Sequence, residues 1–286
     1  MKKRKGILLA GGLGTRLFPL TKAISKQALP IYDKPMFYYP LSNLIMMNIR
    51  EILIISTPEH VSLYKKMIGS GKDIGLKISY LIQKKPEGIA QSLILAENFL
   101  NGSDMCLILG DNIFFGDKLD ELFLKSSSSN KQSIFVKHVK NPNSYGVLKF
   151  KNKLPFKIYE KPSKFISPYA VTGVYFYNNK TIEYAKKLKP SARNELEITD
   201  LNQALLDKKE LDVVILKNAH SWYDAGNHED YLDTSIFVKK YENKKNIIVG
   251  SIEIESYKKK FLSKKNFLKI FDTNNTYHQR LVKIII

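Results

Sequence analysis

The sequence predicts an α/β fold. We expect a Rossmann-like, mostly parallel mixed sheet flanked by helices, with a partly antiparallel insertion and a helical C-terminal part. Short runs rich in Ile, Leu and Val recur without regular alternation, which is typical of strands covered on both faces. Helical patterns separate these runs in the first half, as in the βαβ units of parallel sheets. Between residues 133 and 177 the strands follow one another closely, which favours antiparallel pairing.

Each predicted element has a local signal. Helical spacing after Pro35, a favoured first helical residue, predicts a helix over Met36 to Asn48. Prolines at 142 and 162 mark turns within the insertion. Two further helices are predicted over Ala90 to Leu100 and Glu197 to Lys208, and the chain from about Tyr231 on is predicted to be helical. The predicted strands are Gly6 to Ala10, Ile52 to Ser56, Ile78 to Gln83, Met105 to Leu109, Ser133 to Val139, Val171 to Tyr177 and Asp212 to Leu216.

The length of 286 residues allows one large domain or two small ones. A hydrophobic content of 44% with 11% aromatic residues is enough for a substantial core and argues against disorder. We expect a core over residues 1–240, with halves at about 1–130 and 131–230, and a helical extension of the same domain over residues 241–286.

The formal charge of +19 raises nucleic acid as a partner, but the residue types argue against it. Only five of the 46 basic residues are arginine, the residue best suited to phosphate forks and base edges. The lysines are scattered, as on a solvated surface. We therefore expect no nucleic-acid partner, although the charge would attract anionic substrates over long range.

Nothing in the sequence suggests a membrane or an oxidising compartment. The longest apolar runs are far too short to span a bilayer. The basic start MKKRK is followed by too few apolar residues for a secretory signal. Cys106 is the only cysteine and has no partner for a disulfide. We expect a cytoplasmic protein that does not bind membranes.

A glycine-rich turn with cations follows the first strand, in LLAGGLGTRLFPLTKAISKQALP. Glycines there could simply end a strand, and the cations could simply be solvated. The stretch lacks the GK[ST] ending of a Walker A loop, and Leu17 stands in place of the third glycine of a dinucleotide fingerprint. Arg16 nevertheless follows Gly14 closely enough to grip phosphate oxygens. The stretch is therefore a candidate phosphate cradle.

This stretch begins a resemblance that extends to about residue 245. The segment GILLAGGLGTRLFPLTKAISKQALPIYDKPMFYYPL resembles the N-terminal signature of the sugar-1-phosphate nucleotidyltransferases. Within that family, it most resembles the group that uses dTTP and glucose 1-phosphate. The likeness continues, in the family's order, through LILGDNIFFG, NSYGVLKF, EKPS, YAVTGVYFY, KPSARNELEITDLN and SWYDAGNHEDY. It implies transfer of a thymidylyl group to glucose 1-phosphate with release of pyrophosphate, as a first step towards dTDP-rhamnose and other deoxysugars.

The resemblance implies that the first half binds the nucleotide. The sugar phosphate attacks the α-phosphorus in line, so the protein supplies positioning and charge neutralisation. Arg16 and Lys26 are the implied catalytic residues, Arg16 at the departing pyrophosphate and Lys26 at the α- and β-phosphates. Base recognition is implied for Gln83 and the turn Pro86-Glu87-Gly88. The full implied set of nucleotide-binding residues is Gly11, Gly14, Thr15, Arg16, Lys26, Gln83, Gly88 and Asp111.

Two carboxylates are candidates for holding Mg²⁺. Asp111 follows a predicted central strand at its carboxyl end, where ligands of open α/β sheets gather. An Asp in a turn or helix cap is the simpler interpretation of Asp111 alone. Together with Asp224 in WYDAG, it could hold Mg²⁺ between the protein and substrate phosphates, and the family uses the matched positions in this way.

The second half is implied to bind the sugar phosphate, through Tyr145, Gly146, Glu160, Lys161 and Val171. Glu160 can accept hydrogen bonds from sugar hydroxyls, and Lys161 can meet the phosphate. Taken alone, this adjacent Glu-Lys pair is more typical of an exposed charge pair. Trp222 and His220 are expected to be a core tryptophan and a hydrogen-bonded histidine.

Several alternatives stay open at this point. Gln83 cannot separate dTTP from UTP, because uracil offers the same edge, so a uridylyltransferase is possible. A non-catalytic sugar-nucleotide sensor would need a lost catalytic position, and Arg16, Lys26, Asp111 and Asp224 are all present. The resemblance also implies a homotetramer, with feedback by dTDP-rhamnose at a second nucleotide site between subunits.

Overall fold

The computed structural model describes residues 4–12, 14–272 and 274–285, and in them a large mixed sheet lies between layers of helices. Its strands, together with those of two small two-stranded sheets, are β1 Lys5–Ala10, β2 Pro30–Ile31, β3 Lys34–Pro35, β4 Glu51–Ser56, β5 Lys77–Ile82, β6 Met105–Leu109, β7 Asn112–Gly116, β8 Gln132–His138, β9 Gly146–Lys151, β10 Leu154–Glu160, β11 Tyr169–Tyr177, β12 Leu211–Leu216 and β13 His220–Asp224. The α-helices are α1 Tyr38–Met46, α2 Val61–Ile68, α3 Gln91–Leu95, α4 Glu97–Leu100, α5 Leu119–Ser128, α6 Thr181–Ala185, α7 Ile198–Asp207, α8 His228–Lys245, α9 Ile252–Lys258, α10 Lys264–Lys269 and α11 Thr276–Ile285.

The predicted fold class is confirmed. Strands β5, β4, β1 and β6 pair in parallel, with Leu8 opposite both Ile54 and Ile108. Strand β11 then pairs antiparallel with β6, β8 and β9, and β9 pairs antiparallel with β10. The central strands β4 and β6 are buried except for one partly exposed residue at an end of each, as expected from apolar runs without alternation.

The seven predicted strands are all present, each within two residues of its expected bounds. The predicted helix from Ala90 to Leu100 is instead divided into α3 and α4 at Ala96. Pro35 does not open α1, since it lies in β3, three residues before the helix begins. Strands β7 and β13 were not predicted, and their pairing matters most for the site.

The C-terminal helices pack on the first half of the chain. The buried cluster around Leu8 includes Phe176 from β11 and Ile252 from α9, so one core joins all three predicted parts. The side chain of Asn227 accepts a hydrogen bond from the Asp230 N–H and so caps α8. The predicted domain boundaries stay a prediction. Among the described residues no helix is long and apolar enough to cross a membrane.

Candidate active site

Two strand ends bring Asp111 and Asp224 together. Asp111 lies between β6 and β7, and Asp224 ends β13. Strands β7 and β13 pair antiparallel with Asn112 opposite Asp224, and the Ala225 N–H donates to the carbonyl of Asp111 at 3.4 Å. This pairing joins two carboxylates that are far apart in the sequence at the carboxyl end of the central strand.

The ammonium group of Lys26 lies against both carboxylates. Its Nζ is 2.6 Å from Oδ2 of Asp111 and 3.8 Å from Oδ1 of Asp224. Lys26 opens a 3₁₀ turn over Lys26–Ala28, and its side chain is only 6% exposed. In the same turn, the buried Gln27 donates from Nε2 to the carbonyl of Gly11 at 3.0 Å, which ties this segment to the glycine-rich turn.

The two carboxylates differ in acidity. Burial raises the pKa of Asp111, but the charge of Lys26 and hydrogen bonds from Lys26 and Asn112 outweigh it, so the pKa lies below its ordinary value. Burial and then the negative charge of Asp111 raise the pKa of Asp224 to about 6, against the opposing charges of Lys26 and Arg16. One buried lysine therefore does not compensate both acids.

The glycine-rich turn places Arg16 beside Asp224. Gly14 adopts a left-handed conformation with φ 61°, and its carbonyl accepts from the Thr21 hydroxyl at 2.9 Å. Leu17 is buried and anchors the 3₁₀ turn over Thr15–Leu17, which leaves Arg16 exposed. A Cβ at Gly226, next to Asp224, would lie only 3.1 Å from an Nη of Arg16.

Some of the predicted phosphate residues and all of the predicted sugar residues line one cavity of about 200 Å³, whereas Gly11, Gly14, Thr15, Lys26, Gln83 and Gly88 are not part of its lining. Arg16, Asp111 and Asp224 line one part of it. All five residues expected to bind the sugar phosphate also line it, namely Tyr145, Gly146, Glu160, Lys161 and Val171. The sheet explains this, because β9, β10 and β11 lie next to one another beside β6.

Sequence reasoning missed Arg193, which organises the far part of this cavity. Arg193 makes a two-pronged ion pair with the buried Glu197, with Nη2 2.9 and 2.8 Å from its carboxylate oxygens. The same Nη2 lies 3.1 Å from Glu160. Glu160 also accepts a hydrogen bond from Thr199 at 2.5 Å, so it is not the isolated surface pair with Lys161 that sequence alone favours. These partners lie within the KPSARNELEITDLN segment, which could have suggested them.

Trp222 is largely buried, as expected, and it also lines the cavity. Its Nε1–H donates to Oδ1 of Asn112 at 2.6 Å, and the Gly173 N–H donates to the same oxygen at 2.9 Å. The Nδ2 of Asn112 in turn donates to Asp111 at 2.9 Å. His220 is hydrogen-bonded in part, because its imidazole bonds to the backbone of Asp117, whereas its buried Nδ1 has no hydrogen-bond partner among the described residues.

The residues expected to bind the base lie near the glycine-rich turn. Gln83 is 3% exposed, and a Cβ at Gly11 would lie 3.0 Å from its Oε1. Gly88 has φ +103°, and a Cβ there would lie 2.4 Å from the carbonyl oxygen of Leu196. A glycine at position 88 thus allows the segment 86–91 to pack closely against the backbone of Leu196.

This arrangement suits phosphate transfer better than nucleophilic catalysis by the protein. Cations and two carboxylates converge on one cavity, while the only cysteine, Cys106, is fully buried and its thiol pKa is raised by that burial. In the part of the chain that the structure describes, no group of three or more His, Cys, Asp or Glu side chains is placed to hold a metal. Two carboxylates alone suit a cation that shares its ligands with substrate phosphates.

Comparisons with known proteins agree with this geometry. The family model described as nucleotidyl transferase matches residues 5–241. A glucose-1-phosphate thymidylyltransferase from Neisseria meningitidis is 42% identical over 98% of this chain and 99% of its own length. One from Xanthomonas campestris is 45% identical over 84% of this chain and 82% of its own length.

Solved structures agree as well. A crystal structure of a Bacillus anthracis protein assigned to the same enzyme class, in complex with sucrose, superposes with a TM-score of 0.75 at 38% identity, covering 82% of this chain and 94% of that one. The prediction of a nucleotidyltransferase enzyme is confirmed by these matches. The chain belongs to the nucleotidyl transferase family, in which the relatives compared above are glucose-1-phosphate thymidylyltransferases.

Proposed function

We propose that this enzyme transfers a thymidylyl group from dTTP to α-D-glucose 1-phosphate, giving dTDP-glucose and pyrophosphate. One observation supports this above all. Asp111, Asp224 and Arg16 lie at one part of a cavity whose other part is lined by Glu160 and Lys161, so nucleotide and sugar phosphates can meet in it. The two relatives reported above, which bear this activity in their names, cover 98% and 84% of the chain.

The chain's own cations carry most of the proposed mechanism. Lys26 is positioned to neutralise charge at the α-phosphate, because it already lies against both carboxylates that flank the reacting groups. Arg16, exposed beside Asp224, stabilises the charge that builds on the departing pyrophosphate. Lys161 and Glu160 hold the sugar phosphate so that its oxygen faces the α-phosphorus in line.

Members of this family generally use a divalent metal, and we propose Mg²⁺. The carboxylates of Asp111 and Asp224 fit it, because a second positive charge would relieve the repulsion that raises the pKa of Asp224. When bound, Mg²⁺ would supply charge neutralisation at the phosphates. Asp111 and Asp224 would be its protein ligands.

The proposed base-binding and triphosphate-binding residues are those of the first half. Gly11, Gly14 and Thr15 would wrap the triphosphate with Arg16 and Lys26, and Gln83 and Gly88 would contact the base. Tyr145, Gly146 and Val171 would shape the sugar site next to Glu160 and Lys161. A uridylyltransferase stays the second candidate, because Gln83 offers the same contact to uracil.

The decisive experiment measures pyrophosphate release with glucose 1-phosphate and Mg²⁺, comparing dTTP with UTP and with a control without sugar. Fast release with dTTP that requires the sugar is the expected result. Release mainly with UTP would keep the phosphate chemistry and change the base assignment. No release with either nucleotide would favour a sugar-nucleotide sensor.

We also propose a cytoplasmic homotetramer that acts at the start of dTDP-rhamnose or another deoxysugar route. Leu232, Ile236 and Phe237 of α8 are exposed apolar side chains in the single chain, as expected of a surface that a second subunit covers. Light scattering coupled to gel filtration tests the assembly. Titration with dTDP-rhamnose tests feedback, and an unchanged rate at saturation would rule feedback out.

A further inference from the structure

Three side chains form a short hydrogen-bonded series between β5 and α3. Gln83 donates from Nε2 to Oε1 of Gln91 at 2.6 Å. Gln91 donates from its own Nε2 to Oε2 of Glu87 at 2.6 Å. The backbone N–H of Glu87 donates back to Oε1 of Gln91 at 3.3 Å, which closes the series onto the chain.

This series has only one direction. A carboxylate accepts hydrogen bonds and has no hydrogen to donate, so Glu87 requires the NH₂ group of Gln91 to face it. The carbonyl of Gln91 then faces Gln83 and requires the NH₂ group of that residue. The orientation of the Gln83 amide is therefore set through Gln91 by Glu87, whose carboxylate accepts from the NH₂ group of Gln91 and whose backbone N–H donates to its carbonyl oxygen.

The remaining atom of this amide faces the glycine-rich turn that is proposed to wrap the triphosphate. Oε1 of Gln83 lies on the side of Gly11, where an added Cβ would be 3.0 Å away. Among the described residues no hydrogen-bond donor reaches this oxygen. Because Gln83 is 97% buried, its amide presents this acceptor in a fixed place.

We infer that Glu87 and Gln91 are positioning residues that fix the Gln83 amide with its acceptor towards the base, and so select a base edge that donates an N–H. Thymine and uracil present N3–H at this edge, whereas N3 of cytosine is an acceptor and would face another acceptor. This inference rests on the proposed function, in which Gln83 contacts the base. It predicts rejection of dCTP and no discrimination between dTTP and UTP by these residues.

The test reverses the polarity of the series. Lysine in Gln91→Lys can only donate, so it pairs with Glu87 and donates to Oε1 of Gln83, which turns the NH₂ group of Gln83 towards the base. We expect the dTTP to dCTP ratio of kcat/KM to fall about 10- to 100-fold in this variant, mainly through KM. An added positive charge that merely attracts triphosphates would change both substrates equally and leave the ratio unchanged.

A swapped pair and a matched control complete the design. In Glu87→Gln combined with Gln91→Glu, the carboxylate at position 91 accepts from the NH₂ groups of both Gln83 and the new amide at position 87. Gln83 therefore keeps its orientation, and the wild-type ratio is expected to return. Gln203→Lys is the control, because Gln203 donates to Asp207 four residues away, as Gln91 does to Glu87, but on α7 outside the proposed site.

The outcomes separate the inference from the proposed function. A wild-type enzyme without dTTP activity would overturn the proposed function itself. An active wild-type enzyme whose ratio is unchanged in Gln91→Lys, or is not restored in the swapped pair, would overturn the inference alone. If Gln91→Lys does not fold, Gln91→Arg replaces it, since a guanidinium also can only donate and so requires the same reversal of Gln83. An unchanged ratio there would also overturn the inference.

Discussion

The ionised carboxyl group of Asp224 is expected to lower the stability of the fold and yet to be needed for activity. Its pKa in the folded protein, about 6, lies above its ordinary value because of burial and the charge of Asp111. An acid whose pKa is raised on folding binds its proton more tightly in the folded state. Its contribution to stability is therefore fully present at low pH and is lost as the pH rises from about 4 through 6.

We therefore predict that Asp224→Asn makes the protein more stable and inactive. At pH 7.5 the substitution removes an ionised group that the fold disfavours, so the free energy of unfolding should rise, by on the order of 2 kcal/mol. Pyrophosphate release should fall at least about 100-fold, because a proposed metal ligand is lost. Urea denaturation at pH 7.5 and at pH 4.5 measures the first effect, and the gain should shrink at the lower pH. A loss of stability at pH 7.5 would contradict the prediction.

Arg16 allows a second prediction at the scale of one residue. Its guanidinium lies exposed beside Asp224 and contributes little to packing, so Arg16→Ala should leave stability nearly unchanged. The barrier to pyrophosphate release should rise by about 3 to 4 kcal/mol, since a preorganised cation is removed. Lys22→Ala is the matched control, because Lys22 is an exposed cation of the same loop. Equal rate losses in the two variants would mean that the net positive charge of the loop, and not the position of the Arg16 guanidinium, supports the reaction.

At the scale of elements, the contact of β11 with β7 holds Asp111, a proposed metal ligand, in place. Asn112 lies between the Gly173 N–H, the Trp222 indole and Asp111, and it bonds to all three. A Cβ at Gly173 would lie 2.5 to 2.9 Å from the amide atoms of Asn112. No room exists there for a larger residue unless Asn112 moves.

Gly173→Ala is therefore expected to lower both stability and kcat. Overpacking of this kind costs about 1 to 3 kcal/mol, and displacement of Asn112 should disturb Asp111. A double-mutant cycle with Asn112→Ala measures the coupling, since the smaller side chain should accommodate the new methyl group. If the two stability changes simply add, the loss of stability in Gly173→Ala does not arise from contact of the new methyl group with Asn112.

At the scale of the whole molecule, a buried charge cluster fixes the C-terminal helix to the core. Arg280 of α11 lies 2.6 Å from both Asp33 and Glu242, and Lys34 pairs with the same two acids. The side chain of Glu242 is 1% exposed, so these two cations and the Val249 N–H surround it in place of water. The cluster joins the β2–β3 hairpin, α8 and α11 away from the proposed site.

We predict that Arg280→Ala destabilises the protein without changing the chemistry. Loss of one partner of a buried acid should lower the free energy of unfolding by about 1 to 3 kcal/mol. The kcat for pyrophosphate release should stay within about twofold below the melting temperature, because Arg280 does not line the proposed cavity. Lys283→Ala, an exposed change on the same helix, should affect neither quantity. A large fall in kcat would show that this cluster is coupled to the site.

The net charge of +19 is a second feature that acts at the scale of the whole molecule. Scattered lysines predict weak, non-specific attraction to polyanions that disappears with salt. Binding of a duplex DNA, measured by fluorescence anisotropy, should be lost at about 200 mM salt. Tight binding that persists there would reopen the nucleic-acid alternative.

The sequence by itself determined the strands of the main sheet and the residue types of the site. Apolar runs report burial directly, and the glycine-rich turn with Arg16 is local, so both are visible in the chain. It could not show that α3 and α4 are separate, that Arg193 joins Glu160, or how Gln83 is oriented. The contact of Arg193 with Glu160 joins residues far apart in the chain, and the orientation of Gln83 depends on how the nearby side chains pack in the fold.

Only the tertiary structure decided how the two carboxylates meet. Asp111 and Asp224 are brought together by the pairing of β7 with β13, and strands this short have little sequence signal of their own. Burial of that pair, with one lysine between them, then sets their different pKa values. A sequence specifies which groups are present, whereas distance and burial, which control charge interactions, exist only once the chain has folded.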